Sequence, residues 1–128
     1  MTFKFPKKER LKRKKLIEAL FAEGKSISSF PLKLIFLEAE LPKAVPFQLM
    51  VVVPKKHFKS AVKRNRIKRL LREAYRLNKH LIFNNTERQF ALVILYLGKS
   101  IPAYLKIEVG IKTLLTKLIK QISHEKTD

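Results

Sequence analysis

Cysteine and tryptophan are absent from this 128-residue sequence, glycine occurs three times, and only 10 acidic residues stand against 29 lysines and arginines. Each shortage excludes something. Without cysteine there is no disulfide framework, no thiolate metal site and no cysteine nucleophile, and the expected compartment is reducing, read here as the cytoplasm. With so little glycine and no Gly/Ser-rich stretch, neither a flexible linker nor an internal repeat divides the chain. The longest apolar stretches are strand-sized, and no run of signal-peptide length follows the basic N-terminus, so no segment is expected to span a membrane. The few acids are scattered, which leaves no set of metal ligands in the protein.

What is present is a surplus of positive charge on a foldable background. The formal net charge is +19, yet 46% of residues are hydrophobic, enough for one buried core and too many for a disordered basic tail. We read a single RNA-binding-sized domain over 1–128, with 1–10 a flexible basic arm and 124–128 a tail. Such a charge repels itself unless a polyanion is the working partner, which places nucleic acid first and an acidic membrane surface second.

The periodicities predict an α+β chain. Leu16, Ile17, Leu20 and Phe21 recur at helical spacing within 12–23, and Gly24 sits where a left-handed C-terminal cap belongs. A brief strand over 26–29 and a second carrying Leu32, Leu34, Phe36 and Ala39 follow. The apolar run Phe47 to Val53, ended by Pro54, predicts a central strand, with antiparallel pairing between these neighbours. Ser60 caps a long helix over 61–79, Phe90 to Leu97 predicts another strand, and a last helix over about 104–122 buries Ile107, Ile111, Leu114, Leu115, Leu118 and Ile122. Gly110 is a weak point in that helix. The order suits a two-layer sandwich, and where parallel strands flank a helix the general expectation is a right-handed crossover.

The helix over 61–79 carries the information. At 100° per residue, Ile67, Leu70, Leu71, Ala74, Leu77 and Leu81 fall within an arc of about 120°, the expected core face, with Leu70 taken as a buried leucine. Arg64, Asn65, Lys68, Arg69, Arg72, Arg76 and Lys79 occupy the other half. A merely solvated face mixes charge signs at i, i+4, whereas Arg64, Lys68, Arg72 and Arg76 put like charges there, at roughly 0.2–0.5 kcal/mol of repulsion per pair. Arginine also outnumbers lysine five to one from Arg64 to Arg76. Guanidinium forks bind phosphate bidentately and stack on bases, so the pattern points to polyphosphate contact. Lys63 and Arg66 fall inside the apolar arc and are explained if this end of the helix projects past the sheet toward a phosphate.

The stretch Lys63 to Arg76, KRNRIKRLLREAYR, preceded by Lys55-Lys56 and Ala61-Val62, resembles the signature of the bacterial ribonuclease P protein subunit family. Arg10-Leu11, Phe21 and Gly24 extend the likeness toward the N-terminus. The resemblance implies an αβββαβα sandwich with a mixed four-stranded sheet and a left-handed βαβ crossover, like the second domain of a small-subunit ribosomal protein. It also implies a division of labour: a catalytic RNA with bound Mg²⁺ removes the 5′ leader from precursor tRNA, while the protein holds both RNAs, has no catalytic residue of its own and requires no protein partner. By the same resemblance Lys63, Arg64, Asn65, Arg66, Lys68, Arg69, Arg72 and Arg76 face the catalytic RNA. The leader cleft, between the first helix and the sheet, takes in Ile17, Phe21, Leu34 and Phe36 with Lys55 and Lys56. Ile17 stands where members often carry a second Phe.

Other readings compete. His57, His80 and His124 belong to separate elements with no carboxylate to orient them, which disfavours a protein ribonuclease. A ribosomal-type structural protein or RNA chaperone uses the same charge and differs in what it binds. A peripheral membrane binder needs its apolar face free for lipid, and here the core requires it. Phe3 and Phe5, set among lysines, are candidates for stacking on bases from the arm.

Overall fold

The computed structural model describes residues 4–84 and 86–126. Its elements run α1 (Lys14–Glu23), β1 (Lys25–Ser29), β2 (Leu32–Glu38), β3 (Phe47–Val52), α2 (Ala61–Asn78), a single turn α3 (His80–Phe83), β4 (Phe90–Tyr96) and α4 (Tyr104–Lys126). The four strands form one sheet in the order β1-β2-β4-β3, antiparallel except for the parallel pair β3 and β4. Two expectations are corrected here. β2 and β3 are not neighbours, because β4 inserts between them, and Phe47 to Val52 is an edge strand although every second side chain is buried. An apolar run reports burial on both faces, and a lid over the edge supplies that as well as a neighbouring strand does.

The lid is the N-terminal segment. Arg10 bridges to Leu49 in parallel, and the Leu11 amide donates to the Leu49 carbonyl at 3.0 Å. Glu9 and Lys79 form a buried ion pair at 2.7 Å, Lys79 also donates to the Lys4 carbonyl, and Gln48 Nε2 donates to the Lys8 carbonyl at 2.9 Å. Residues 4–10 are therefore a docked strap, not the flexible arm the mixed composition predicts, and Lys79 belongs to the interior instead of the basic face. Composition is silent on a pairing across 70 positions of sequence. Residues 1–3, with Phe3, lie outside the described residues, as do 127 and 128; α4 itself continues through Lys126, past the expected start of a tail at 124.

The alternation of each strand separates two apolar layers. Leu32, Leu34 and Phe36, with Phe47, Leu49 and Val51 and with Phe90, Leu92 and Ile94, meet α2 and α4 on one face. On the other, Ala91 and Val93 meet Leu11 and Leu20, surrounded by the half-buried Leu16, Ile17, Ile35, Leu37, Met50, Val52 and Leu95. All six apolar residues expected on α4 are at most 1% exposed. On α2 the Ser60 hydroxyl caps the Lys63 amide, and the buried set is Ile67, Leu71, Ala74, Tyr75 and Asn78. That arc is turned by about half the spacing between successive residues from the expected one. Leu70 and Leu77 end half-buried at its margin, and Lys63 and Arg66 fall outside it, exposed, without the helix end having to overhang the sheet.

Two glycines act through the space they leave. Gly24 has φ −66° and ψ 151°, so it is no left-handed cap. A β-carbon there would come within 2.5 Å of Ile35 Cγ2 and closer still to the Leu20 carbonyl, so the glycine permits the tight exit from α1 onto the sheet. Gly110 is buried, and a β-carbon on it would lie 2.8 Å from Leu32 Cδ1. It marks close helix-to-sheet packing, not weakness.

Candidate nucleic-acid interface

The exposed side of α2 presents Asn65, Arg69, Arg72 and Arg76 as one row, and the strap brings Phe5 and Arg10 against it. Together they line a cavity of about 480 Å³. Phe5 reaches the site because its ring packs edge-on to the buried Tyr75 at 5.6 Å, and the Arg10 guanidinium lies 5.2 Å over that ring. Glu73 also reaches the cavity, and both its carboxylate oxygens are engaged by Arg76. Arg69 and Arg72 have no hydrogen-bond or ion-pair partner among the described residues. The Arg72 guanidinium is pulled below its ordinary range by partial burial and by the neighbouring charge of Arg10. An arginine-lined hollow with its one acid already used is built for an anion with hydrogen-bond acceptors, as a phosphodiester is.

The other expected helix residues divide. Lys63 and Arg66 are exposed and Lys68 is half-buried, and none of the three lines the cavity. Arg64 is a clamp: its Nη1 donates to the Phe58 carbonyl at 2.7 Å and the Lys59 carbonyl at 3.0 Å, closing the loop that leads into α2. Its charge stays at the surface, but its position is set by that loop. Phe5, a stacking candidate by its sequence setting, reaches the site from a docked strap, and Arg10 and Glu73 are members that the sequence pattern does not mark. Arg10-Leu11 was visible as a motif pair, but its partner across the fold was not.

The expected leader cleft is partly overturned. Leu34 and Phe36 are 0% and 2% exposed and point into the layer under α2 and α4, away from α1. Side chains alternate along a strand, so the α1 side of β2 carries Ile35 and Leu37 instead. Ile17 does lie on the α1 side, half-buried against the sheet, and Phe21, one turn further along, is 48% exposed. Phe21 is thus no core residue. Lys55 and Lys56 are exposed in the turn beyond β3. His57 and His80 sit on separate elements, and the side chain of His124 lies outside the description. Among the described residues no group of three or more His, Asp or Glu is placed to hold a metal ion, and no helix is long and apolar enough to cross a membrane.

The family model for ribonuclease P matches residues 5–119. The ribonuclease P protein component of Porphyromonas gingivalis is 38% identical over 120 residues, covering 91% of this chain and 88% of that one. Its counterpart in Chlorobium phaeobacteroides is 36% identical over 111 residues, 77% and 76% of the two chains. Among solved structures, the RNase P protein of Thermotoga maritima superposes with a TM-score of 0.69 at 25% identity, over 85% of this chain and 96% of that one. The Staphylococcus aureus protein gives 0.68 at 21% identity, over 86% and 94%, a likeness of fold alone. A mirror-image connection would not superpose this well, so the β3–α2–β4 crossover has the hand of that fold, the left-handed one implied by the resemblance and the rarer of the two.

Proposed function

Because the chain belongs to the ribonuclease P protein family, the protein subunit of the endoribonuclease that matures the 5′ end of tRNA, we propose how its two surfaces divide that work. The exposed row of α2, with Arg10 beside it, holds the catalytic RNA. The half-open α1 side of the sheet, around Ile17, Phe21, Met50 and Val52 with Lys55 and Lys56 nearby, holds the single-stranded leader of precursor tRNA. The chemistry belongs to the RNA and to Mg²⁺ bound there, and the protein supplies charge and position in the cytoplasm without a further protein partner. The observation that carries this reading is the arginine-lined cavity on α2, where the Arg69 and Arg72 guanidinium groups, without an acidic partner among the described residues, match phosphate. Family membership argues against the ribosomal-type reading, which shares the charge but not the KRNR signature.

The test is reconstitution. RNA-free protein should not cleave precursor tRNA, whereas added to its catalytic RNA it should lower the Mg²⁺ concentration needed for cleavage by offsetting phosphate repulsion. Arg69→Ala should weaken catalytic-RNA binding about tenfold and reduce the log–log salt slope by about 0.9, the signature of one lost duplex phosphate contact. Specific cleavage by the protein alone, or wild-type affinity and slope in Arg69→Ala, would overturn it.

A further inference from the structure

Arg10 lines three separate cavities, and two of them share a wall. The 480 Å³ cavity on α2 and a smaller one of about 170 Å³ at the β3 edge, lined by Leu49, Met50 and Val51, have Phe5, Arg10 and Arg72 in common. These three side chains stand between the surface assigned to the catalytic RNA and the surface assigned to the leader. Arg10 is fixed there by backbone pairing to Leu49 and by its own hydrogen bond to the Phe5 carbonyl at 3.3 Å. Arg72 faces it from α2 with no protein partner among the described residues. The nearby acids are engaged elsewhere, Glu73 with Arg76 and Glu9 with Lys79.

Two guanidinium groups held together without a free carboxylate repel each other, a cost the docked strap accepts against the edge pairing and the buried ion pair that hold it in place. The repulsion turns into binding energy when an anion sits between them. The buried Glu9–Lys79 pair shows that the placement is built: it draws the strap onto the end of α2 and so sets Arg10 beside Arg72. We propose that Arg10 and Arg72 together seat a single RNA phosphate at the junction of the two cavities, with Phe5 as the apolar support of Arg10. The proposal rests on the reading that α2 binds RNA and adds to it one shared site that the signature motif alone does not contain, since Arg10 comes from the strap. The phosphate belongs either to the catalytic RNA or to the leader, and the chemistry is the same for both.

A double-mutant cycle tests it, with Arg10→Gln, Arg72→Gln and the double variant of the full chain. Affinity is measured for the catalytic RNA and, in the holoenzyme, for precursor and mature tRNA at several salt concentrations. Each single variant should lose about tenfold and lower the salt slope by about 0.7–0.9, one phosphate. The double variant should lose little more than either single one, because one phosphate can be lost only once. A loss in the catalytic-RNA arm assigns the phosphate to that RNA, and a loss confined to the precursor arm assigns it to the leader. Losses that multiply toward a hundredfold would mean two separate phosphates and overturn the shared seat, as would wild-type behaviour of both single variants. Arg69→Ala run alongside separates the two readings: if it weakens binding while the Arg10 and Arg72 variants do not, only the seat falls, and if it too is silent the RNA assignment of α2 falls. Arg10→Lys keeps the charge without the fork and should recover part of the loss.

Discussion

The two faces of the sheet are covered unequally. Under α2 and α4, two helices of 18 and 23 residues, the strand side chains are almost without exposure; under α1, a helix of 10 residues with Leu20 its one fully buried side chain, a ring of apolar residues stays half open. Burial of apolar area stabilises by about 25 cal/mol per Å², so the closed face does most of the folding. The open face leaves part of that gain unused, and partly exposed apolar groups beside cations are where a single-stranded nucleic acid binds, through base stacking with phosphate pairing. Stability and ligand recognition are thus assigned to opposite sides of the same four strands.

The strongest way to break that comparison is to mutate the same strand on its closed side. Leu34→Ala, and with it Leu71→Ala on α2, should each cost about 2–5 kcal/mol of unfolding free energy in urea titrations, since both side chains are wholly buried. What remains folded should still discriminate precursor from mature tRNA as the wild type does. If Leu34→Ala left stability intact and removed that discrimination, the assignment of faces would be inverted.

How much of this was readable beforehand follows from the range of each signal. The α4 core and the Ser60 cap are local patterns of period 3.6 or single-residue chemistry and are found as read, whereas of the basic face of α2 only Asn65, Arg69, Arg72 and Arg76 share one hollow, Arg64 holding a loop and Lys79 lying buried. Leu34 and Phe36 were placed on the wrong side because an almost continuously apolar strand offers no alternation to fix its parity, which only pairing with β1 and β4 decides. Leu70 reads as core for a similar reason, since the apolar arc of α2 is wider than the buried one. The insertion of β4 between β2 and β3, the docking of the strap and the burial of Lys79 are long-range pairings that no window of sequence contains. Arg10 joins the RNA site only through that docking, and Phe5, whose lysine neighbours mark it as a stacking candidate, is carried to α2 by the same docking.

Smaller in size, and sharper about function, is Phe21. Its ring is 48% exposed on the α1 side. Phe21→Ala should leave the urea midpoint near wild type and reduce the advantage of precursor over mature tRNA by about 1–3 kcal/mol, the range for one stacked base, with the salt slope unchanged. An equal loss for both RNAs would take Phe21 out of the leader surface.

The smallest expected effect belongs to Met50, which with its neighbour Leu49 on β3 separates the faces most cleanly because only the parity of the strand distinguishes them. Leu49 is 2% exposed in the layer under α2 and α4, while Met50 is half-buried on the α1 side and lines the cavity next to Arg10 and Arg72. Leu49→Ala should therefore act on stability, in the same range as Leu34→Ala, and leave relative RNA affinities alone. Met50→Ala removes a flexible, polarizable side chain that is already partly in water, so its effect on folding should stay below about 1 kcal/mol. In the holoenzyme it should lower precursor affinity roughly three- to fivefold against an unchanged mature tRNA, the equivalent of about 0.6–1 kcal/mol of lost apolar contact. Matching urea midpoints and matching RNA affinities for the two variants would mean that the β3 edge does not divide the molecule into a folding face and a binding face, and the leader surface would then have to lie elsewhere along α1.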